Sequence, residues 1–217
     1  NKKEKVPESV HNTMMKHLRE YITVGGMPAV VNKFVESRHF GEVWQQQQQI
    51  LDSYFDDISK YASKSEKPKV KNCFLSVPKQ LAKENKKFQF SVVEKKATAR
   101  KYENSIEWLR DANFVRLCYN VSAPDFPLAA YEKEGQYKMY ISDIGLLVAL
   151  YGFDMKKAVI DDTLKGNAKG GIYENLIADM LVKRGYRLSY YRTDNGGLEK
   201  EFMISIDANV ISIEVKA

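Results

Sequence analysis

The sequence predicts a mixed α and β protein with more than one domain, and three observations predict this fold class. Apolar residues recur every three or four positions over most of the first 60 residues, which is the spacing of amphipathic helices. Polar clusters with proline and glycine then divide the chain. Near the C-terminus, apolar and polar residues alternate as they do on half-buried strands. The chain has 217 residues, 44% of them hydrophobic, which is enough to bury a core.

The N-terminal segment, residues 1–62, is predicted to be helical. Three helices are expected there, over residues 10–24, 28–37 and 40–58. The first should end at Gly25 and Gly26, because a glycine pair followed by proline stops one helix and starts another. Residues 60–68 are polar and mark the first domain boundary.

The middle segment, residues 63–152, is predicted to resemble a winged helix-turn-helix. Its expected helices span 69–84, 99–112 and 143–151, and its expected strands span 114–121 and 137–141. Pro78 should split the first of these into two short helices, and Asp143 should cap the last. With helix 69–84 split in two, three helices precede the two strands, and this is the element order of a winged helix.

The C-terminal segment, residues 165–217, is predicted to be an α/β domain that is truncated at its C-terminal end. A loop rich in glycine and charge should lead to Gly171. One helix over 172–184 and strands over 187–193, 199–206 and 210–216 should follow. The chain starts at Asn1 and stops just after a predicted strand, so we expect it to be part of a longer polypeptide.

Four residues of this segment follow the order of a metal-dependent nuclease site of the P-D-(D/E)-x-K type. They are Glu174 on the predicted helix, Glu201 on a strand, and Glu214 and Lys216 two positions apart on the last strand. Phosphodiester hydrolysis needs a divalent cation and an activated water. Carboxylates suit Mg²⁺, and a lysine can stabilise the developing charge. Glu201 and Glu214 would hold the metal.

The strand register decides whether these residues meet. A two-residue turn at Asp207 and Ala208 places Glu201 opposite Glu214, whereas a three-residue turn sends Glu201 to the other face. Glu199 shares the face of Glu201 and is a fallback acid. The alternative interpretation is structural, because any amphipathic strand can carry Glu-x-Lys and an early helix glutamate such as Glu174 is favoured by the helix dipole.

Positive charge is concentrated in the middle of the chain. Residues 60–101 contain thirteen Lys or Arg and three acids, although the whole chain has a net charge of only +6. A patch of this kind can attract nucleic acid. The candidate phosphate contacts are Lys95, Lys96, Arg100 and Lys101, with helix 99–112 as the element facing DNA. Plain solubility of a solvated face is the alternative interpretation.

Cysteine usage and hydropathy indicate which cellular compartment the protein occupies. Cys73 and Cys118 are far apart and show neither a disulfide framework nor zinc spacing, which favours a reducing, cytoplasmic compartment. No apolar stretch approaches 18 residues, no signal peptide is visible and no basic amphipathic helix stands out. We therefore expect no membrane association.

The chain resembles the C-terminal half of a large group of prokaryotic AAA-type P-loop ATPases, whose C-terminal domain is of unknown function. The matching stretches run in order along nearly the whole chain. They are residues 21–31 (YITVGGMPAVV), 50–58 (ILDSYFDDI), 77–85 (VPKQLAKEN), 101–112, 137–147 (YKMYISDIGLL), 173–178 (YENLIA) and 213–216 (IEVK).

This resemblance implies that the chain consists of three structural parts. The first 60 residues would be helices of the ATPase lid and its linker, the middle would be winged-helix-like, and the end would be restriction-endonuclease-like. The P-loop would lie upstream, and since these residues contain no Gly-x-x-x-x-Gly-Lys-(Ser/Thr), ATP is expected only in that missing domain. The family usually has Glu-x-Asp-Phe where this chain has Glu199-Lys200-Glu201-Phe202, and the longer side chain of Glu201 can misplace a metal.

Two functions follow as hypotheses. The first is a nucleic-acid-associated part of the ATPase with an Mg²⁺-dependent nuclease-like site, in which Lys216 assists the water and Glu174 supports the metal shell. The second is a catalytically inactive interaction or oligomerisation module that couples the ATPase to a partner. The expected partners are nucleic acid, the upstream ATPase domain and further copies of the chain.

Overall fold

The computed structural model describes residues 6–216. It confirms the predicted mixed α and β class. The helices are α1 (Glu8–Val24), α2 (Pro28–Ser37), α3 (Phe40–Tyr61), α4 (Lys67–Leu81), α5 (Phe90–Val93), α6 (Ala99–Asp111), α7 (Ile144–Tyr151), α8 (Phe153–Ile160) and α9 (Gly166–Lys183). The strands are β1 (Val115–Val121), β2 (Glu132–Ile141), β3 (Ser189–Arg192), β4 (Glu199–Ile206) and β5 (Asn209–Ile213), and a 3₁₀ helix covers Leu128–Tyr131.

The chain forms two compact units. The first runs as far as Ile50 and resumes over Asp143–Leu164, and the second comprises Leu51–Ser142 and the chain from Lys165 onward. These units differ from the predicted domains, which were divided near residues 62 and 152. Within residues 6–216, no helix is both long enough and apolar enough to cross a membrane.

The first unit is helical and contains α1, α2, α7 and α8. The expected helices over 10–24 and 28–37 are confirmed as α1 and α2. The predicted cap is confirmed as well, because the Asp143 carboxylate accepts a hydrogen bond from the Leu146 amide at 2.9 Å. The same carboxylate accepts one from the Gly26 amide at 2.7 Å, which ties the turn after α1 to the start of α7.

The second unit is built on one five-stranded sheet, with the strand order β2-β1-β3-β4-β5. β1 pairs antiparallel with β2 and parallel with β3, and β4 pairs antiparallel with both β3 and β5. The two strands that were expected to form a wing therefore belong to the same sheet as the C-terminal strands. This shared sheet places residues from both halves of the sequence side by side.

The prediction that Pro78 splits its helix is wrong, because α4 continues from Lys67 to Leu81 with Pro78 inside it. A proline in a helix interior costs about 3 kcal/mol, since one hydrogen bond is lost and the ring crowds the preceding turn. Phe74, Val77 and Leu81 are fully buried on either side of Pro78. Burial of these side chains offsets that cost.

The loop that was expected before Gly171 is also a wrong prediction, because α8 lies within it and α9 already begins at Gly166. Glycine disfavours helix by about 1 kcal/mol, so the glycines of this stretch hid the start of α9. At Gly171 a side chain would collide with the backbone carbonyl of Leu81 on α4. The glycine therefore permits close packing of α9 against α4, which only the tertiary contact reveals.

Candidate functional site

A buried network of charged side chains surrounds Lys138 in the second unit. The Lys138 side chain is 1% exposed, and its Nζ lies 2.7 Å from Glu199 Oε1 and 3.4 Å from Glu174 Oε2. Each carboxylate has a second cationic partner. Lys86 Nζ lies 2.8 Å from Glu174 Oε1, and Arg192 NH1 lies 3.1 Å from Glu199 Oε2. Three cations thus enclose two carboxylates.

The position of Glu174 follows from how α9 docks on β2. The Asn175 side chain bonds to the Ile141 backbone twice, accepting from its N–H at 2.8 Å and donating to its C=O at 2.9 Å. The neighbouring Glu174 is thereby held over β2, where Lys138 and Tyr140 point to the same face because they are two positions apart. The Tyr140 hydroxyl donates a hydrogen bond to Glu174 Oε2 at 3.2 Å.

The side chains of Lys138 and Tyr140 keep their protons at neutral pH. Burial disfavours a charge on Lys138, but the carboxylates of Glu174 and Glu199 outweigh it and raise the lysine pKa. Burial, and after it the charge of Glu174, raise the pKa of Tyr140 well above its usual value. The lysine is therefore an ammonium ion and the tyrosine a neutral hydrogen-bond donor.

The structure brings only some of the predicted site residues together. Glu174 is 5% exposed and belongs to the Lys138 network. Glu214 and Lys216 lie beyond the end of β5, with side chains 58% and 81% exposed and 3.6 Å between Glu214 Oε1 and Lys216 Nζ. Glu201 is half-buried, and its Oε2 is shielded from solvent without a hydrogen-bond partner among the described residues. Glu174 bonds to none of the other three predicted site residues.

The turn between β4 and β5 decides the register that the sequence left open. Ile206 pairs with Asn209, so the turn has two residues, Asp207 and Ala208, both with positive φ as a type I′ turn requires. The turn is therefore the first of the two alternatives, and the observed ladder ends at Phe202–Ile213, one pair short of Glu201 and Glu214.

The last strand is shorter than predicted. The ladder ends at the pair Phe202–Ile213, so residues 214–216 lie outside the strand that was expected to reach residue 216. Ser189 lies opposite Met203 whereas Tyr191 lies opposite Lys200, so β4 carries one extra residue there. Such a bulge bends its strand and disrupts pairing locally.

The residues present do not fit a divalent metal ion. Within residues 6–216, no group of three or more carboxylate, histidine or cysteine side chains is placed to hold one. Mg²⁺ needs an almost regular octahedron of oxygen ligands. The buried carboxylate of Glu174 and the half-buried one of Glu199 already bind protein cations, and Glu214 lies in solvent beside Lys216.

Comparison with known protein families gives two matches, which together cover most of the chain. A family model described as Domain of unknown function (DUF8612) matches residues 15–157, about two thirds of the chain. The chain belongs to this family. In this DUF8612 member, a second model, Domain of unknown function (DUF4143), matches residues 169–217. No curated protein and no solved structure matches the chain.

The predicted nucleic-acid contacts of this DUF8612 member lie around the start of α6. Lys95, Lys96, Arg100 and Lys101 are all exposed. The Lys101 ammonium binds both carboxylate oxygens of Glu94, at 2.8 and 2.7 Å, and this contact lowers the pKa of Glu94. Within the described part of the chain, the other three cations form no ion pair.

Sequence reasoning missed the centre of the buried network. Lys138, Lys86 and Arg192 were not predicted as site residues, and Glu199 was considered only as a fallback acid. One signal was present, because Lys138 lies inside the apolar run 137–141. A charged residue within a buried strand requires a buried partner. The identity of that partner depends on the docking of α9 and on the pairing of β3 with β4.

Proposed function

We propose that this chain is a non-catalytic nucleic-acid-docking region at the C-terminal end of a prokaryotic AAA-type ATPase. The ATPase context is supported by the resemblance of its motifs. The element order from α4 to β2 supports a winged-helix-like origin, and the order α9, β3, β4, β5 supports a nuclease-like one. The observation that carries the docking function is the group of exposed cations at the start of α6 that form no ion pair with any of residues 6–216.

Backbone geometry at the start of α6 adds to this attraction for anions. Thr98 precedes the helix in an extended conformation and forms no side-chain capping hydrogen bond. The first amide groups of a helix lack partners within the helix and carry partial positive charge. Lys95 and Lys96 precede this end and Arg100 lies in the first turn, so a backbone phosphate bound there would meet both side-chain and amide donors.

The charge along the rest of α6 indicates how nucleic acid would approach. Glu103 and Glu107 are exposed on the helix beyond its first turn, and they would repel a phosphate backbone. We therefore expect the N-terminal end of α6 to dock on the backbone, rather than the whole helix lying in a groove. Contacts of this kind position a protein without reading base sequence.

Neutralising the three free cations should remove most of the DNA affinity. We expect the variant Lys95→Gln/Lys96→Gln/Arg100→Gln to bind duplex DNA about tenfold or more weakly, and the slope of log affinity against log salt to change by about 2 to 3, since each phosphate contact contributes about 0.9 to it. Fluorescence anisotropy over a range of salt concentrations measures both quantities.

The matched control is the variant Lys16→Gln/Lys157→Gln/Lys165→Gln, which removes the same charge at exposed lysines elsewhere. It should lower affinity far less. A wild-type salt slope near zero, or equal losses in both variants, would contradict the docking function and favour an interaction module that couples the ATPase to a protein partner.

A metal-dependent nuclease is the second candidate. The two-residue turn supports it, because a ladder extended by one pair beyond Phe202–Ile213 would bring Glu201 opposite Glu214. The absence of a metal-holding group among residues 6–216 opposes it. We expect no cleavage of plasmid or single-stranded DNA in Mg²⁺ or Mn²⁺, and identical behaviour of wild type and Lys216→Ala. Cleavage that requires metal and is lost in Lys216→Ala would overturn the non-catalytic proposal.

A further inference from the structure

A polar pocket opens in the second unit at the carboxyl ends of the parallel strands β1 and β3. It has a volume of about 330 Å³, and none of its lining residues was predicted as a site residue. Its lining includes Asn85, Lys87, Asn120, Gln136, Arg192 and the loop 193–196. The carboxyl ends of parallel strands are where open α/β sheets commonly bind ligands.

The side chain of Asn120 determines which group Gln136 presents to the pocket. It is 2% exposed, and its Oδ1 accepts the Arg192 amide at 3.0 Å while its Nδ2 donates to Gln136 Oε1 at 3.1 Å. The oxygen of Gln136 is thereby engaged by a donor. The amide nitrogen of Gln136 remains, and it can only donate.

Three further lining residues are also left with donors. Asn85 Oδ1 accepts the backbone amide of Lys87 at 3.1 Å, which leaves Asn85 Nδ2 as a donor. The Lys87 ammonium forms no ion pair within residues 6–216. Arg192 uses NH1 for Glu199 and keeps NH2. Four donor groups from three parts of the chain therefore line the pocket.

The carboxylate in the loop does not cancel this preference. Asp194 binds Lys133 Nζ at 2.9 Å, and this hydrogen bond is the main reason that its pKa is lowered. Lys133 thus neutralises Asp194, while Lys87 and Arg192 contribute positive charge to the lining. A pocket that presents these four donors, two of them on cationic side chains, is complementary to an oxyanion.

We infer that this donor pocket binds a phosphate group, which would come from a nucleic-acid backbone if the docking function proposed above holds. A tetrahedral phosphate offers several acceptor oxygens, and charge-assisted hydrogen bonds from lysine and arginine are the strongest such contacts. The pocket supplies these together with two oriented amides. It adds a second anchoring point to the one at the start of α6.

The decisive variant is Gln136→Glu, which keeps the size of the side chain. Its carboxylate still accepts from Asn120, but the second oxygen replaces the donor and adds negative charge. We expect binding of inorganic phosphate, measured by isothermal titration calorimetry, to weaken about tenfold or more. Gln45→Glu, at an exposed position on α3, makes the same chemical change and should have no effect.

The outcomes separate the pocket from the docking function. Wild type that binds no phosphate, or Gln136→Glu that binds it like wild type, overturns the inference. Loss of phosphate binding together with weaker binding of duplex DNA supports a nucleic-acid source. Loss of phosphate binding with unchanged DNA affinity supports the pocket and assigns it to free phosphate. If wild type binds phosphate but no DNA, the docking function fails and the pocket stands.

Discussion

Replacement of Lys138 by methionine is expected to lower the free energy of unfolding by about 1–3 kcal/mol. Methionine has nearly the shape of lysine, so the substitution removes the charge and leaves the packing largely in place. The carboxylates of Glu174 and Glu199 would lose their shared cation while Glu174 stays buried. Glu174 keeps Lys86 and Glu199 keeps Arg192, so neither carboxylate is left without a cation, but each loses a partner that water cannot fully replace in a buried site.

Urea unfolding of wild type and Lys138→Met measures this loss. The matched control is Lys133→Met on the same strand, where the lysine pairs with Asp194 at side-chain exposures of 27% and 85%. An exposed pair contributes about 0–1 kcal/mol, so this control should change little. Equal effects of the two variants would show that the network contributes no more than a surface pair.

A second variant separates charge from packing. Glu199→Gln should cost less stability in the Lys138→Met background than in wild type, because its cationic partner Lys138 is already absent there. Equal costs in the two backgrounds would show that the loss in Lys138→Met comes from packing instead.

The stability of the first unit is expected to rise between pH 7 and pH 9 because of Lys156. This side chain is 2% exposed. Its Nζ donates to the Thr23 carbonyl at 3.0 Å and to Gln47 Oε1, and Gln47 Nε2 donates to the carbonyls of Thr23 and Val24, both at 3.0 Å. Lysine and glutamine together satisfy the last carbonyls of α1, which lack helical partners.

The sign of the pH effect follows from the lysine pKa. Burial lowers the pKa of Lys156 from 10.5 to about 7, although the charge of Asp143 opposes the change. The unfolded chain therefore binds more protons than the folded one between these values, so stability increases with pH. The penalty for the buried charge is fully present below pH 7 and is relieved towards pH 10.5. Integration gives a gain of about 2 kcal/mol from pH 7 to pH 9.

Urea unfolding at several pH values tests this prediction. The increase seen in wild type should be absent in Lys156→Met and present in Lys157→Met, whose lysine is the exposed neighbour on the same helix. The range stops at pH 9 because half-buried tyrosines such as Tyr151, whose pKa is raised by loss of hydration, oppose the trend once free tyrosine begins to ionise near pH 10. A wild-type curve parallel to that of Lys156→Met would show that Lys156 is charged in both states.

Local patterns predicted much of the fold and a smaller share of the candidate site. The spacing of apolar residues predicted α1 to α3, and the alternation over residues 199–206 predicted β4. Asp143 was identified as a cap because its side chain precedes an apolar helix. In the candidate site, sequence order singled out Glu174 but could not name its partners, which come from β2 and the segment after α4.

The sequence by itself determined the secondary structure wherever short-range periodicity, caps and turn residues act, together with the basic character of residues 60–101. The tertiary structure alone decided three further features, namely that Pro78 stays within α4, that β1 and β2 share a sheet with β3 to β5, and that Lys138 bridges two carboxylates. The physical reason is that these features depend on contacts between residues far apart in the chain. Burial there outweighs local preference, and a charged side chain finds its partner only after the helices and strands have packed.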